Sequence, residues 1–253
     1  MSAARTLRVG HKGADLIAPG NTAASFAAAL ACGVDMIEFD VLPMYPDGQG
    51  ELYLAHDYTD LRARRDGGTL LTLDDGLDLF ASPPFADVAL DVDLKLPGYE
   101  ERAVRALHER DLLPRTLIST MELSSLALLR EPQPGGAPLR LGWSVPKVRR
   151  NPMDRPFVKP FAIAVGQAYR RALPRWADAA LRAGRCDALM CHHLLVTERL
   201  AAAVTAAGGE LFVWTVDDAE EIRRLQDMGV AGVITNDPRL FDAGADAAPL
   251  VSP

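Results

Sequence analysis

Two acidic residues alternate with apolar residues in one short segment of the chain. Glu38 and Asp40 lie between Ile37, Phe39 and Val41. In a strand, side chains alternate between the two faces, so both carboxylates point to one side and the apolar residues to the other. Two buried acids repel each other and are costly to desolvate. The segment therefore predicts either a salt-bridged pair beneath a loop or a pair neutralised by a hard cation.

A second segment repeats the alternation. Asp91, Asp93 and Lys95 lie on one face of Leu-Asp-Val-Asp-Leu-Lys-Leu. Asp93 can add a third carboxylate to Glu38 and Asp40, and Lys95 a positive charge one step further along the strand. Three carboxylates make an oxygen-only site suited to Mg²⁺ or Ca²⁺.

Two histidines are expected near these acids. His11 ends the first strand-like segment, and His56 ends a second arm, Glu51–His56, that follows an Asp47-Gly48 turn. This turn predicts a hairpin, because the connection is too short for a helical crossover. The hairpin would return His56 to the end of the sheet that carries His11. Two histidines beside a carboxylate cluster indicate a general acid and base.

The elements that position these residues alternate along the chain. Strands and helices in alternation indicate βαβ units and a parallel sheet, and eight units predict a closed (β/α)₈ TIM barrel, here with a hairpin excursion after the second strand. No Gly-x-Gly-x-x-Gly follows the first strand, which disfavours a dinucleotide fold. The predicted strands are Leu7–His11, Met36–Val41, Val88–Leu94, Thr116–Ser119, Leu139–Val145, Ala188–Leu194, Leu211–Val216 and Gly232–Thr235. The predicted helices are Thr22–Cys32, Tyr99–Arg110, Ser124–Arg130, Trp176–Ala183, Thr197–Ala207 and Ala219–Met228.

Two regions break this regularity. The proline-containing segment Pro146–Pro174 is predicted to be a long loop on the catalytic face with one helical turn. Residues 243–253 are predicted to be a frayed tail. Residues 1–253 otherwise form one predicted domain.

Composition excludes several classes of protein. The chain has 253 residues and a net charge of −7, which disfavours a nucleic-acid partner and leaves a small anionic substrate to be attracted by a local site. No stretch reaches about 18 uninterrupted apolar residues, so no membrane span is predicted. The first residues lack the apolar core of a signal peptide. The number of cysteines is three, which is odd and is typical of free thiols in a reducing compartment. We therefore expect a cytoplasmic protein. The oligomeric state is left open.

A soft-metal site is the alternative reading of one cluster. Cys186, Cys191, His192 and His193 are close in sequence, but their spacing is not a usual zinc pattern and the run is more typical of a strand. A zinc amidohydrolase is also disfavoured, because no His-x-His ends the first strand.

Several motifs resemble those of the glycerophosphodiester phosphodiesterase family, in order from residue 9 to residue 238. The family's His-Arg-Gly corresponds to His11-Lys12-Gly13, and its Pro-Glu-Asn-Thr corresponds to Pro19-Gly20-Asn21-Thr22. Its Gly-x-Asp-x-Ile-Glu-x-Asp-Val corresponds to Gly33-Val-Asp35-Met-Ile37-Glu38-Phe-Asp40-Val41. Its Asp-Gly and the later His-Asp correspond to Asp47-Gly48 and His56-Asp57, and its Glu-x-Lys corresponds to Asp93-Leu94-Lys95. Its Trp-Thr-Val corresponds to Trp214-Thr215-Val216. Its closing Gly-x-x-x-Thr-Asn/Asp-x-Pro corresponds to Gly232-Val-Ile-Thr235-Asn236-Asp237-Pro238.

The resemblance implies a TIM barrel that hydrolyses a glycerophosphodiester, an enzyme of lipid metabolism, with one Mg²⁺ or Ca²⁺. It implies that the glycerol 2-hydroxyl attacks phosphorus, giving a cyclic phosphate that water then opens. The implied catalytic pair is His11 and His56, with the base and the acid unassigned. The implied metal ligands are Glu38, Asp40 and Asp93, and the implied substrate contacts are Lys12, Lys95 and Trp214.

Three positions depart from the family pattern. Lys12 replaces Arg, which removes bidentate phosphate binding but keeps the charge. Gly20 replaces Glu, which removes an acidic group beside the site. Asp93 replaces Glu and is shorter by about 1.5 Å, so its metal contact is expected to be weaker or to run through water.

Two other functions remain open from the sequence. One is a barrel of the same type that releases the head group of a lysophospholipid or sphingolipid, like a lysophospholipase D or sphingomyelinase D. The other is a non-catalytic barrel that binds phosphodiesters, because a fold alone does not guarantee chemistry.

Overall fold

Nine strands form a single sheet in the computed structural model, which describes residues 5–131, 138–146 and 159–243. Every predicted strand is present, with ends that differ by at most two residues. The strands are β1 (Leu7–Gly10), β2 (Met36–Pro43), β3 (Leu52–Leu54), β4 (Ala89–Leu94), β5 (Thr116–Thr120), β6 (Arg140–Val145), β7 (Ala188–His192), β8 (Glu210–Trp214) and β9 (Gly232–Thr235).

The sheet closes into a barrel. Along the sheet the order is β1-β9-β8-β7-β6-β5-β4-β2-β3, and β1 also pairs with β2. All of these pairings are parallel except that of β3, which runs antiparallel to β2 with Val41 opposite Leu54. Eight parallel strands therefore make the barrel, and β3 is the returning arm of a hairpin. The predicted (β/α)₈ fold with its hairpin excursion is confirmed.

Eight helices surround the described strands. Several begin at the side-chain caps expected of a helix N-terminus: Thr22 and Thr72 form capping boxes, and Asp57, Thr197 and Asp218 accept backbone N–H groups. The helices are α1 (Ala23–Ala31), α2 (Tyr58–Asp66), α3 (Leu73–Phe80), α4 (Glu100–His108), α5 (Leu123–Arg130), α6 (Lys159–Arg182), α7 (Glu198–Ala206) and α8 (Ala219–Asp227).

Two of these helices were not predicted. Helix α2 is strongly polar and buries only Leu61, so it shows no apolar stripe in the sequence. Helix α3 contains Gly76, a residue that weakens a helix and argues against one in a sequence pattern. In the fold this glycine lets the helix approach Leu54 of β3, whose Cδ2 would lie 2.7 Å from a Cβ at position 76. Tertiary packing therefore overrides local propensity at α3.

The prediction of a long loop over Pro146–Pro174 is wrong in its second half. Helix α6 begins at Lys159 and continues through Pro174 to Arg182. Leu173 and Ala177, on either side of the proline, are fully buried, and this packing stabilises a helix that proline alone would interrupt. Residues 147–158 of the predicted loop, and residues 244–253 of the predicted tail, lie outside the described part.

The barrel interior is filled with apolar side chains below the carboxyl ends of its strands. One buried cluster lies inside the barrel and consists of Val9, Met36, Leu117, Ala188, Met190, Phe212 and Ile234. A second layer packs between strands and helices, where the rings of Phe26, Phe39 and Phe80 lie 4.8–6.1 Å apart between centroids. This packing fixes the strands whose carboxyl ends carry the polar residues described next. Across the described residues, no helix combines the length and apolarity needed to span a bilayer.

Candidate active site

Three carboxylates meet at one end of the barrel. Glu38 and Asp40 project from β2, and Asp93 projects from the neighbouring β4, where it lies opposite Asp40 in the parallel register. One ligand oxygen from each lies within 4.8 Å of the others. Glu38 and Asp40 are buried, as their alternation with apolar residues predicted. The structure thus brings the three predicted metal ligands together.

The ammonium of Lys95 lies among these carboxylates. Its Nζ is 2.5 Å from Asp40 Oδ1 and 2.5 Å from Asp93 Oδ2. Burial raises the pKa of Asp40, but Lys95 more than offsets this and holds the pKa of the carboxyl well below its usual range. Lys95 itself lines the cavity described below, so its position combines a buried ion pair with access to a bound ligand.

The donor set fits a hard divalent cation. Burial raises the pKa of Glu38 well above its usual value, and the negative charge of Asp40 raises it further. Asp93 Oδ1 and Asp91 Oδ1 are buried without a hydrogen-bond partner. A divalent cation would stabilise the ionised form of Glu38 and offer these oxygens the positive charge that one lysine does not supply.

The loop after β1 holds one oxygen of Glu38 and one of Asp40. The Lys12 backbone N–H donates to Glu38 Oε2 at 2.8 Å. The Asn21 Nδ2 donates to Asp40 Oδ2 at 2.8 Å, and the Asp40 N–H donates to Asn21 Oδ1 at 3.1 Å. Asn21 therefore supports the acidic cluster, and the neighbouring Thr22 caps α1.

His11 follows β1 and faces the cluster. Its Nδ1 lies 2.6 Å from Asn236 Oδ1, and its Nε2 lies 3.8 Å from Glu38 Oε2. Asn236 is held in turn by Asp217, which accepts its backbone N–H at 2.8 Å and its Nδ2 at 2.7 Å. Burial lowers the pKa of His11, an effect that the nearby Asp40 and the hydrogen bond to Asn236 only partly oppose.

His56 follows β3 and reaches the same cavity from the hairpin. Its side chain is 54% exposed, and its Nδ1 lies 3.5 Å from Asp57 Oδ2. Its backbone N–H donates to Asp60 Oδ2 at 2.9 Å, and Asp60 Oδ1 accepts from Arg64 Nε at 2.8 Å. Arg64 also donates to the carbonyl of Gly20, so α2 links the loops that carry the two histidines.

One cavity joins these groups at the carboxyl end of the barrel. The indole of Trp214 forms part of its wall and packs edge to face on His192, with centroids 5.0 Å apart. The ammonium of Lys12 pairs with Asp15 instead, and Lys12 is not among the lining residues. The lining residues are His11, Glu38, His56, Asp91, Asp93, Lys95, Ser119, Met121, Ser144, Met190, Trp214, Thr215 and Ile234.

The cysteine and histidine cluster does not assemble into a metal site in the described part of the chain, where the only such group is Glu38, Asp40 and Asp93. Cys186 and Cys191 are buried free thiols. Burial raises the pKa of Cys186 to about 11 and that of Cys191 to about 12. Metal binding requires thiolates, so both are better described as core residues.

Several residues of the site were not identified from the sequence. Asp15, Ser119 and Asp217 carry no motif of their own, and Asn236 appeared only inside a motif. Ser119 lies on a barrel strand and Asn236 directly after one, which is the signal that could have found them. Asp91 shares the alternation of Asp93 and Lys95, and it is buried one layer below Asp93. Burial raises its pKa to about 7 despite a hydrogen bond from Ser119.

A family model and a related protein match this chain. The model of the glycerophosphoryl diester phosphodiesterase family matches residues 71–240. A glycerophosphodiester phosphodiesterase of Caldanaerobacter subterraneus is 26% identical, covering 92% of this chain and 95% of that protein.

Solved structures share the fold. A phosphodiesterase of Oleispira antarctica in complex with the product sn-glycerol-3-phosphate is 19% identical, with a TM-score of 0.65 over 96% of this chain and 98% of that one. A glycerophosphodiester phosphodiesterase of Agrobacterium tumefaciens is 18% identical, with a TM-score of 0.66 over 96% and 100%.

Proposed function

Because this chain belongs to the glycerophosphoryl diester phosphodiesterase family and is therefore a phosphoric diester hydrolase, we propose that it cleaves a glycerophosphodiester into glycerol 3-phosphate and an alcohol. The observation that carries the proposal is a single cavity lined by His11, His56, Glu38, Asp93 and Lys95. It offers two proton-transfer groups and a charged cluster on one small site. The product complex of the Oleispira antarctica relative supports the same substrate class.

The proposed cation ligands are Glu38, Asp40 and Asp93. One Mg²⁺ or Ca²⁺ at these oxygens would supply electrostatic stabilisation of charge that develops on the non-bridging phosphate oxygens. The Lys12 N–H and the Asn21 amide each hold one oxygen, on Glu38 and Asp40 respectively, so these carboxylates are oriented before substrate binds.

His11 is the proposed base. Asn236 Oδ1 accepts a hydrogen bond from His11 Nδ1, so the neutral imidazole carries its proton there and Nε2 can accept one. In the first step Nε2 takes the proton of the glycerol 2-hydroxyl, whose oxygen forms a bond to phosphorus. The bond from phosphorus to the alcohol oxygen breaks, and His56 donates a proton to that oxygen. An intramolecular hydroxyl has the advantage of high effective molarity.

The second step reverses the proton transfers. Water adds to the cyclic phosphate, one P–O bond of the ring breaks, and the 2-hydroxyl leaves with a proton from His11. His56, now neutral, takes the proton of the attacking water. The products are glycerol 3-phosphate and a regenerated pair of histidines.

Substrate binding is assigned to three side chains. The ammonium of Lys95 lines the cavity and can contact a phosphate oxygen beside Asp93. The indole of Trp214 is the proposed wall for the glycerol. Lys12 reaches the phosphate only if its ammonium leaves Asp15, so its direct role is the weakest of the three.

The domain organisation and the cellular location are also proposals. We propose that residues 1–253 form one domain, which acts on a small phosphodiester of lipid metabolism. Three free thiols, two of them buried, suit the reducing cytoplasm.

An assay of products tests the function. Phosphorus NMR of glycerophosphocholine with the enzyme and Mg²⁺ or Ca²⁺ should show glycerol 3-phosphate, and a chelator should stop its formation. Full turnover in chelator would remove the cation from the proposal. Binding of glycerophosphocholine without turnover would favour the non-catalytic barrel, and faster release of choline from lysophosphatidylcholine would favour the lysophospholipase D alternative.

A further inference from the structure

The loop between β1 and α1 supports the acidic cluster from behind. The Lys12 N–H donates to Glu38 Oε2, and Asn21 Nδ2 donates to Asp40 Oδ2, each at 2.8 Å. Each bond fixes one oxygen of a carboxylate assigned to the cation. The position of the Lys12 peptide therefore decides how Glu38 is presented.

This loop is held in a conformation that L residues disfavour. Lys12 has φ of +49° and Asn21 has φ of +53°, both in the left-handed region. The Asn21 N–H donates to the Lys12 carbonyl at 2.9 Å, and the Ser25 hydroxyl donates to the same carbonyl at 2.8 Å. A lysine in this region needs such contacts, because nothing in its own side chain favours the conformation.

Asp15 closes the loop with its two carboxylate oxygens. Oδ2 forms an ion pair with Lys12 Nζ, and Oδ1 accepts the Gly20 N–H at 2.7 Å. The Asp15 side chain is only 27% exposed, and that of Lys12 is less exposed still. Partial burial raises the pKa of Asp15, but Lys12 and the Gly20 N–H outweigh it and hold the pKa below its usual value. The carboxyl of Asp15 is thus ionised at neutral pH.

Gly20 is explained by the same carboxylate. A Cβ added there would lie 2.5 Å from Asp15 Oδ1 and 2.7 Å from Lys12 Cβ. The sequence suggested that Gly20 removes an acidic group beside the site. In the structure, Asp15 places a carboxylate in the space that a side chain at position 20 would enter, so the negative charge is retained from another position.

We propose that Asp15 is a positioning residue of the cation site, whose ion pair with Lys12 fixes the Lys12 peptide N–H on Glu38. The proposal rests on the proposed role of Glu38 as a cation ligand. It gives Lys12 a role in the support of Glu38 that does not require direct contact with phosphate. It also explains why Lys is sufficient at this position: a single ion pair to Asp15 needs a point charge and not a bidentate fork.

Amide hydrogen exchange of the metal-free protein tests the proposal without turnover. Asp15→Asn keeps an acceptor for the Gly20 N–H and removes only the charge, and Lys12→Met removes the partner. In both variants the backbone amide at position 12 should exchange about tenfold faster or more, because opening of the loop becomes easier. The double variant should exchange no faster than either single variant, since both act through one ion pair.

Calorimetric titration with Ca²⁺ gives a second readout. Groups that orient metal ligands typically contribute about 10- to 100-fold in metal affinity, so both variants should bind Ca²⁺ at least about tenfold more weakly. Asp178→Asn is the matched control, because Asp178 pairs with Arg182 at 2.8 Å on the surface of α6, and it should change neither readout.

Wild-type exchange of the Lys12 amide in Asp15→Asn would overturn the proposal. So would a Lys12→Met variant that raises KM for glycerophosphocholine but keeps wild-type exchange and Ca²⁺ affinity, since that is the result expected of a phosphate contact. Failure of the proposed function has a different signature, a wild-type protein that does not hydrolyse glycerophosphocholine, and the exchange measurement does not depend on it.

Discussion

His11 Nδ1 lies 2.6 Å from Asn236 Oδ1, and Nδ2 of the same Asn236 lies 2.7 Å from Asp217 Oδ2. An amide nitrogen can only donate and a carboxylate can only accept, so Asp217 fixes the orientation of the Asn236 amide. Its oxygen then faces His11 and accepts a hydrogen bond from Nδ1–H. This relationship leaves Nε2 as the nitrogen of His11 that can act as a base.

Substitution of Asn236 tests that relationship. Asn236→Ala removes the acceptor that selects the Nδ1 tautomer, so kcat on glycerophosphocholine should fall. The fall should be smaller than that of His11→Ala, for which general base catalysis predicts about 10²–10⁴. In the double variant the two losses should not add, because Asn236 acts through His11. Additive losses would mean that Asn236 has a role of its own.

A substrate with a good leaving group tests the assignment of acid and base. The p-nitrophenyl ester of glycerol 3-phosphate needs little protonation of its leaving oxygen. His56→Ala should therefore regain most of its lost rate on this ester, whereas His11→Ala should not, since the 2-hydroxyl must still lose a proton. Initial rates of p-nitrophenol release give the comparison. Recovery of His11→Ala instead would exchange the two roles.

Removal of Lys95 should affect stability as well as catalysis. Its ammonium is 2.5 Å from oxygens of both Asp40 and Asp93, so Lys95→Met leaves buried carboxylates without their partner. Loss of one partner of a buried ion pair typically costs about 3–5 kcal/mol. The thermal midpoint of the metal-free variant should fall, and added Ca²⁺ should raise it by more than it raises that of the wild type. Equal shifts would argue that Ca²⁺ does not bind at these carboxylates.

Asp91 predicts a pH dependence of stability. Burial raises its pKa to about 7 in the folded protein, from an ordinary value of 3.8. Between these values the folded state holds a proton that the unfolded state has released, so the free energy of unfolding falls as pH rises, by up to about 1.4 kcal/mol per pH unit. The contribution is complete below the unfolded pKa and is lost as pH passes through the folded pKa.

Asp91→Asn should remove this slope. The variant keeps an acceptor for Ser119 and carries no charge, so its stability relative to the wild type should improve from pH 4 to pH 8 in urea titrations. A difference that stays constant over this range would mean that Asp91 does not titrate there.

Much of the barrel could be predicted because its signals are local. The alternation of Glu38 and Asp40 with apolar residues, and the Asp47-Gly48 turn, depend on strand geometry alone, and the structure has both features. Helices α2 and α3 were missed because one is almost wholly polar and the other contains Gly76, and their stability comes from packing on the barrel.

The site was predictable in part for the same reason. The alternation of side chains along a strand, together with the family motifs, places Glu38, Asp40, Asp93 and Lys95 on neighbouring strands. Contacts between distant loops leave no such repeating pattern in the sequence: Asn236 contacts His11 across a separation of 225 residues. Such contacts depend on closure of the barrel, which brings β9 beside β1.

Turnover of glycerophosphocholine by His11→Ala and His56→Ala, compared with the wild type by phosphorus NMR, tests the central claim most directly. The two histidines line one cavity from different loops, as proton transfer on both sides of a phosphate requires. Each variant should keep the wild-type thermal midpoint within a few degrees and lose about 10²–10⁴ in kcat. Near-wild-type formation of glycerol 3-phosphate by both variants would contradict the account.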